Sequence, residues 1–326
     1  MEKVLITRRI PENGINILKS RFEVILNKEN RNLTYEEIKT LSRDVFGIVS
    51  MVSDKIDKGI IENAKNLKII ANYGVGINNV DIEAATENGI LFTNTPDVLT
   101  QATAELGFAL IISLARNITA ADRFVREGKF VGFDPVLFLG KELYKKTIGI
   151  IGMGRIGSQI ARMSRFGFNM RVIYYNRNKN PYDKLVDAER VELKQLLKES
   201  DIIVVSAPLN EKSRYMLSYD EFELMKSDAI FINIGRGEIV NTDALIKKAQ
   251  DSSNFKVGLD VYENEPNFDK RLLNLKNCIL LPHIGSATFE AREKMAKIVA
   301  ENIVKVYEGK CPDFAINGGH LCNAND

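Results

Sequence analysis

The sequence predicts an α/β protein made of two successive doubly wound parallel-sheet units. Three observations carry this. Short apolar runs alternate with amphipathic helical stretches along the chain, the pattern of parallel strands covered by helices on both faces. A length of 326 residues fits two units of ordinary domain size. Residues 147–177 read as one whole repeat of the pattern: strand, glycine turn, helix, strand.

That repeat begins with the apolar run 148–151 and passes directly into Gly152-Met153-Gly154-Arg155-Ile156-Gly157. Ile156, Ile160, Met163 and Phe166 then share one helical face, and 170–175 is the next apolar run. Gly152 permits a tight turn, Gly154 lets a pyrophosphate approach the backbone, and Gly157 lets the helix pack close to the strand. The helix N-terminus offers free N–H groups and partial positive charge to phosphates. In this context the motif predicts a dinucleotide site.

Ahead of it, strands are expected at 4–7, 22–26, 46–51, 67–71 and 90–93. Pro11 stands near the start of a helix over 11–20. Thr34-Tyr35-Glu36-Glu37 is a capping box opening a helix to Leu41. A helix follows over 58–65, and Asp81 caps a short one to Glu87. The proline at 96 breaks the alternation. One long helix is expected from Ala102 to about Arg126, apolar almost all round between Leu106 and Leu114, so it must bury more than one face. Residues 130–144 are irregular and rich in aromatics. Beyond the glycine motif, strands are expected at 202–207, 229–233, 257–260 and 278–281. The helices are 193–199, 219–225, 242–250 and 288–307.

Composition removes several classes of function. Lys plus Arg number 45 against 43 Asp plus Glu, a formal net charge of +2, and no block of like charge stands out. Neither nucleic acid nor an anionic membrane is indicated as a partner. Apolar stretches such as 108–114 are too short to cross a bilayer. The N-terminus enters a strand pattern at once, without signal-peptide design, so a cytoplasmic location is expected. Cys278, Cys311 and Cys322 lack metal-ligand or redox spacing and read as incidental reduced thiols. The only histidines are His283 and His320, which excludes a histidine-rich metal site, and no metal is expected. His320 falls in a polar tail, 317–326, expected to fray, which leaves His283 for acid–base work.

In an open α/β sheet, ligands bind beyond the carboxyl ends of the strands. Four polar clusters fall there. Residues 73–79, Tyr-Gly-Val-Gly-Ile-Asn-Asn, form a glycine loop able to present N–H groups to an anion. Asn233-Ile234-Gly235-Arg236-Gly237, the stretch 260–266 and Pro282-His283-Ile284-Gly285-Ser286 follow three successive strands. Arg236 offers a planar fork for a carboxylate, and Glu265 can pair with His283 and favour its charged form. An arginine, a carboxylate and a histidine at three strand ends beside a dinucleotide motif point to a catalytic set.

Jointly, Tyr73-Gly74-Val75-Gly76-Ile77-Asn78-Asn79-Val80-Asp81, Asn94-Thr95-Pro96, the glycine motif and the stretches 233–237, 260–266 and 282–288 resemble the D-isomer-specific 2-hydroxyacid dehydrogenases over essentially the whole chain. Within that family the sequence is most similar to glyoxylate/hydroxypyruvate reductases and the related 2-ketogluconate reductases, whose phrasing recurs at 166–170 and 225–233. The resemblance implies a Rossmann cofactor domain, residues 99–287, inserted into a flavodoxin-like substrate-binding domain, residues 1–98 and 288–326, with the active site in the cleft between them. It implies a homodimer with 102–116 at the interface.

It also implies roles for residues. Arg236 would bind the substrate carboxylate and polarise the 2-oxo group, His283 would donate the proton, and Glu265 would hold His283. Val75 and Gly76 would offer N–H groups to the carboxylate. Arg155 and Ile156 would sit at the pyrophosphate, and Thr103, Pro208, Ile234 and Asp260 would line the cofactor site, Asp260 near the nicotinamide amide. The second strand of the dinucleotide unit ends at Asn176-Arg177, where NAD-specific members of the fold carry an acid. With no acid there and Arg177 and Lys179 at hand, NADP(H) is the favoured cofactor and NAD(H) the alternative.

The expected reaction is NAD(P)H-dependent reduction of a small 2-oxo acid to the D-2-hydroxy acid, with glyoxylate or hydroxypyruvate leading. Leu137 stands where several such reductases place a tryptophan, and the chain has no tryptophan at all. 2-Ketogluconate and bulkier 2-oxo acids therefore stay open as substrates. Dinucleotide-sensing corepressors that resemble these enzymes are the contrasting class, but no long disordered tail is suggested here. Formate dehydrogenases pair their histidine with glutamine, and this chain has Glu265.

Overall fold

The structure, a computed structural model, describes residues 1–29, 31–180 and 183–322, the side chains of His320 and Leu321 excepted. The chain folds as two compact units, residues 1–99 with 286–326 and residues 100–285. Both are parallel-sheet α/β units, as the alternation of apolar runs and helices requires.

The first unit holds strands β1 (Lys3–Ile6), β2 (Glu23–Leu26), β3 (Gly47–Met51), β4 (Ile69–Tyr73) and β5 (Leu91–Thr93) in the order β2-β1-β3-β4-β5, all parallel. That order is the flavodoxin-like one, whose direction reverses between β1 and β3. Leu5, Ile48, Ile70 and Phe92 are fully buried on these strands. Thr34 caps the helix Tyr35–Leu41 through its predicted box with Glu37. The helices Glu12–Lys19 and Phe289–Tyr307 pack closely: a Cβ at Gly14 would overlap the Ala296 backbone.

The C-terminal stretch departs from expectation. Ile316 N–H donates to Phe92 O at 2.8 Å, and the Asn317 side chain accepts from Phe92 N–H at 2.8 Å and donates to Ile90 O at 2.9 Å. The chain is thus tied along the free edge of β5, and a short helix, Gly318–Leu321, follows. Polar residues suggested fraying; instead they satisfy an exposed strand edge. This turn also brings Cys311 and Cys322 together as a disulfide, so only Cys278 is a free thiol. The expectation of three incidental thiols is corrected. The spacing carries no signal, and the pair closes the segment that returns along β5. The expected frayed end at 323–326 lies outside the described residues.

The second unit holds β6 (Thr147–Ile151), β7 (Arg171–Tyr175), β8 (Ala188–Arg190), β9 (Ile202–Val205), β10 (Ile230–Asn233), β11 (Lys256–Leu259) and β12 (Cys278–Leu280). Their order is β12-β11-β10-β9-β6-β7-β8, again all parallel. It extends the order of dinucleotide-binding folds by one strand, with the direction reversing between β6 and β9. β8 is not legible in the sequence, because Ala-Glu-Arg has no apolar period. It exists through its pairing with β7.

The single helix expected over 102–126 is two, Thr100–Ala115 and Ile118–Arg126, bent by 65°. Asn117 is the break. It adopts a left-handed φ of 54°, and its amide donates to Phe138 O and Leu139 O at 3.1 Å each. Lys256 Nζ meets Leu114 O at 2.9 Å and Asn117 Oδ1 at 2.6 Å, satisfying the end of the first helix. That first helix is buried on several faces, whereas no residue of the second is buried. Among the described residues no single helix is long and apolar enough to cross a membrane, although this bent pair together has the length and composition.

Candidate active site

The glycine turn leaves β6 and lies against the end of β9. Ser206 Oγ donates to Gly152 O at 2.8 Å, and a Cβ on Gly152, whose φ is 88°, would run into the Ala207 backbone. This close approach is why glycine is needed there. The helix Arg155–Phe168 starts at Gly154 with no side-chain cap and no acidic residue in its first turn. A Cβ at Gly154 would meet nothing within 4 Å. An uncapped helix end facing open space fits a diphosphate, with the N–H groups of Arg155 and Ile156 in its first turn.

Three neighbouring strands carry the catalytic candidates. After β10, the Asn233 side chain ties the loop: its amide donates to Arg236 O at 3.0 Å, and its oxygen accepts from Gly235 N–H at 3.1 Å. Arg236 Nη1 donates to Gly235 O at 2.7 Å, so part of the fork is already fixed. Burial pulls Arg236 below the usual arginine range, against the charges of Glu265 and Glu238. A Cβ at Gly237 would overlap the Tyr262 backbone, which holds the β10 and β11 loops together.

After β11, Glu265 accepts from Tyr262 N–H at 2.8 Å through one oxygen and lies 2.7 Å from His283 Nδ1 through the other. Burial opposes ionisation of Glu265, but the hydrogen bond and charge of His283, the Tyr262 N–H and the charge of Arg236 prevail and hold its carboxyl below the usual range. With Nδ1–H donating to the carboxylate, Nε2 is the ring nitrogen left for chemistry. His283 and Glu265 side chains keep 34% and 27% of their surface exposed, enough for access without full hydration.

After β12, His283 adopts a left-handed φ of 55°. The two N–H groups that follow, Ile284 and Gly285, donate to Asp260 at 2.8 and 2.7 Å, one to each oxygen. Burial raises the Asp260 carboxyl above its usual range despite these bonds. Gly285 lies between Thr103 and Asp260, since a Cβ there would sit 3.1 and 3.2 Å from their side chains. Ile234 packs against the helix Thr100–Ala115 at Gly107, and Pro208 O accepts from Ser213 Oγ at 2.8 Å.

In the first unit, the loop after β4 is fixed through its carbonyls. Gly74 O accepts from Thr95 N–H at 3.0 Å, Val75 O from Asn94 at 2.8 Å and Gly76 O from Asn72 at 2.7 Å. In a trans peptide the N–H points opposite to the C=O, so the N–H groups of Val75 and Gly76 face away from these partners.

The profile of the "D-isomer specific 2-hydroxyacid dehydrogenase, NAD binding domain" family matches residues 108–285. The chain belongs to the D-isomer-specific 2-hydroxyacid dehydrogenases. It is 48% identical to a glyoxylate reductase of Pyrococcus furiosus, over 97% of this chain and 95% of that one. The crystal structure of a protein from Thermus thermophilus superposes with a TM-score of 0.91 at 37% identity, covering 96% of this chain and 99% of that one. An NADPH-dependent glyoxylate/hydroxypyruvate reductase of Sinorhizobium meliloti, solved with NADP and malonate, superposes with a TM-score of 0.85 at 28% identity, covering 97% and 96%. The second unit is therefore the nicotinamide dinucleotide domain of a dehydrogenase of this family, and the chain is an oxidoreductase.

Within the dehydrogenase, the structure gathers Arg236, Glu265 and His283 at adjacent strand ends, and Gly152, Gly154, Arg155, Ile156 and Gly157 at the switch between β6 and β9. Sequence reasoning passed over the side chains that hold these groups still: Asn233, Tyr262, Ser206, Asn72 and Asn94. Asn72, Asn94 and Asn233 stand inside or beside the quoted motifs, but nothing local marks which backbone atom a buried amide will reach.

Proposed function

We propose that this dehydrogenase reduces a small 2-oxo acid to the D-2-hydroxy acid, with glyoxylate or hydroxypyruvate as substrate. The observation that carries the reading is the 2.7 Å Glu265–His283 pair beside Arg236, in a chain so similar to a glyoxylate reductase. Arg236 takes the substrate carboxylate in its fork and polarises the 2-oxo oxygen. Val75 and Gly76, in the first unit, offer N–H groups suited to a carboxylate. Glu265 fixes the imidazole, and His283 passes its Nε2 proton to the oxygen. Thr103, Pro208, Ile234 and Asp260 would line a reduced nicotinamide dinucleotide, which when bound would supply the hydride to carbon. Leu137, 36% exposed, replaces the aromatic wall expected at that position and leaves longer 2-oxo acids as second substrates.

The cofactor is proposed to be NADPH in preference to NADH. Arg177 and Lys179 are exposed at the end of β7, and no acid stands at Asn176. A matrix of both cofactors against glyoxylate, hydroxypyruvate, pyruvate and 2-ketogluconate tests both choices. The expected result is a higher kcat/KM with NADPH, lost on Arg177→Ala, and turnover of glyoxylate or hydroxypyruvate. NADH preference with no effect of Arg177→Ala on NADPH use would remove the cofactor assignment.

The enzyme is further proposed to be a homodimer. The helix Ile118–Arg126 and the loop after it expose Val125, Phe130, Val131, Phe133 and Leu139, apolar side chains close together in sequence that a second copy would cover. Light scattering should give twice the chain mass, and Phe133→Asp combined with Val131→Asp should shift it to the monomer. A monomeric wild type would count against the dimer.

A further inference from the structure

Asn176 occupies the strand-end position from which an acid reads the ribose in NAD-binding members of this fold. Here its side-chain amide is committed to the glycine turn. Its Oδ1 accepts from Met153 N–H at 2.7 Å, and its Nδ2 donates to Met153 O at 3.0 Å. Both groups of Met153 in the middle of the glycine motif are therefore held by one amide. The orientation of that amide is not arbitrary, since exchanging its oxygen and nitrogen would set donor against donor and acceptor against acceptor.

A second amide converges on the same place. Asn180, almost fully buried, donates Nδ2 to Met153 O and to Ser158 Oγ, the latter at 3.1 Å. Ser158 is on the helix whose first turn follows the glycines, and its N–H donates to Gly154 O at 2.9 Å. Arg190, from β8, braces the outer side by donating to Asn176 O at 3.1 Å and Arg177 O at 2.8 Å.

We propose that Asn176 is a positioning residue for the glycine turn and does not read the ribose. With Asn180 it clamps the Met153 peptide groups, and so sets where the N–H groups of Arg155 and Ile156 meet the diphosphate of either dinucleotide. Recognition of a 2′-phosphate then rests on Arg177 and Lys179, not on the residue before them. The proposal stands on the dinucleotide reading of this unit, not on the choice between NADPH and NADH. It also determines what Asn176→Asp should do. A carboxylate can accept from Met153 N–H but cannot donate to Met153 O, and it places an acceptor against that carbonyl.

Calorimetric titration of the full chain with NADPH, NADH and 5′-ADP tests this. ADP carries the diphosphate but neither a nicotinamide nor a 2′-phosphate. Asn176→Ala and Asn176→Ser, both at a half-buried site, should weaken all three ligands by a common factor of about tenfold, the worth of a lost hydrogen bond with charge assistance. The loss should fall more on KM for the cofactor than on kcat, and by the same factor for both dinucleotides, a split that general destabilisation would not produce. Asn176→Asp should bind NADH more weakly than wild type. A loss confined to NADPH, unchanged NADH and ADP binding in both neutral variants, or improved NADH binding by Asn176→Asp would each overturn the proposal. A wild type that binds neither dinucleotide would instead remove the reading on which it stands.

Discussion

His283→Ala should lose about a hundred- to ten-thousandfold in kcat for 2-oxo acid reduction, with dinucleotide affinity essentially unchanged. As hydride reaches carbon, the 2-oxo oxygen becomes an alkoxide that needs a proton. Glu265 cannot supply it, because its carboxyl is held ionised below the usual range. His283 has the geometry: Nδ1 is committed to Glu265 at 2.7 Å, and Nε2 points away. The backbone supports that pose. The left-handed φ of 55° costs a histidine free energy, and the two N–H bonds to Asp260 hold the turn in place. Removing the imidazole leaves the dinucleotide turn at β6 untouched, so binding should survive. Steady-state reduction beside a cofactor titration checks both parts. Turnover near that of wild type would remove His283 from the mechanism.

Much of this site was legible because its chemistry is local in sequence. A glycine motif between a strand and a helix announces its own geometry, and Arg236, Glu265 and His283 each follow an apolar run long enough to read as a strand. Parallel topology then brings the strand ends to one edge of the sheet. Two sheets and most of their strands follow from the same periodicity. The misses have a common cause, which is that the deciding partner is remote in sequence. Asn117 breaks a helix by reaching the carbonyls of Phe138 and Leu139. β8 has no apolar period and exists through its neighbour β7. The disulfide closes a segment that Asn317 ties to Phe92, more than two hundred residues away. Asn176 shows the same limit at the site itself. Its lack of charge was readable, but the direction of its amide was not, because only the folded turn places Met153 opposite it.

Arg236→Lys should lose about tenfold to a hundredfold in kcat/KM for the 2-oxo acid, the range for losing a charge-assisted hydrogen bond, although the charge is kept. Geometry is the reason that charge alone is expected to fall short. Arg236 Nη1 already donates to Gly235 O at 2.7 Å, and that bond aims the rest of the fork. A lysine has one ammonium to divide between Gly235 O and the substrate carboxylate, and no planar face with which to take two oxygens together. The backbone cannot shift to compensate. Asn233 holds it from both sides, and Gly237 leaves no room against Tyr262. The loss should fall on both KM and kcat, since Arg236 is assigned to the ground-state carboxylate and to the oxygen that gains charge. Circular dichroism and cofactor titration should match wild type, separating this from misfolding. A Lys variant with KM and kcat both unchanged would mean that the substrate carboxylate is held elsewhere.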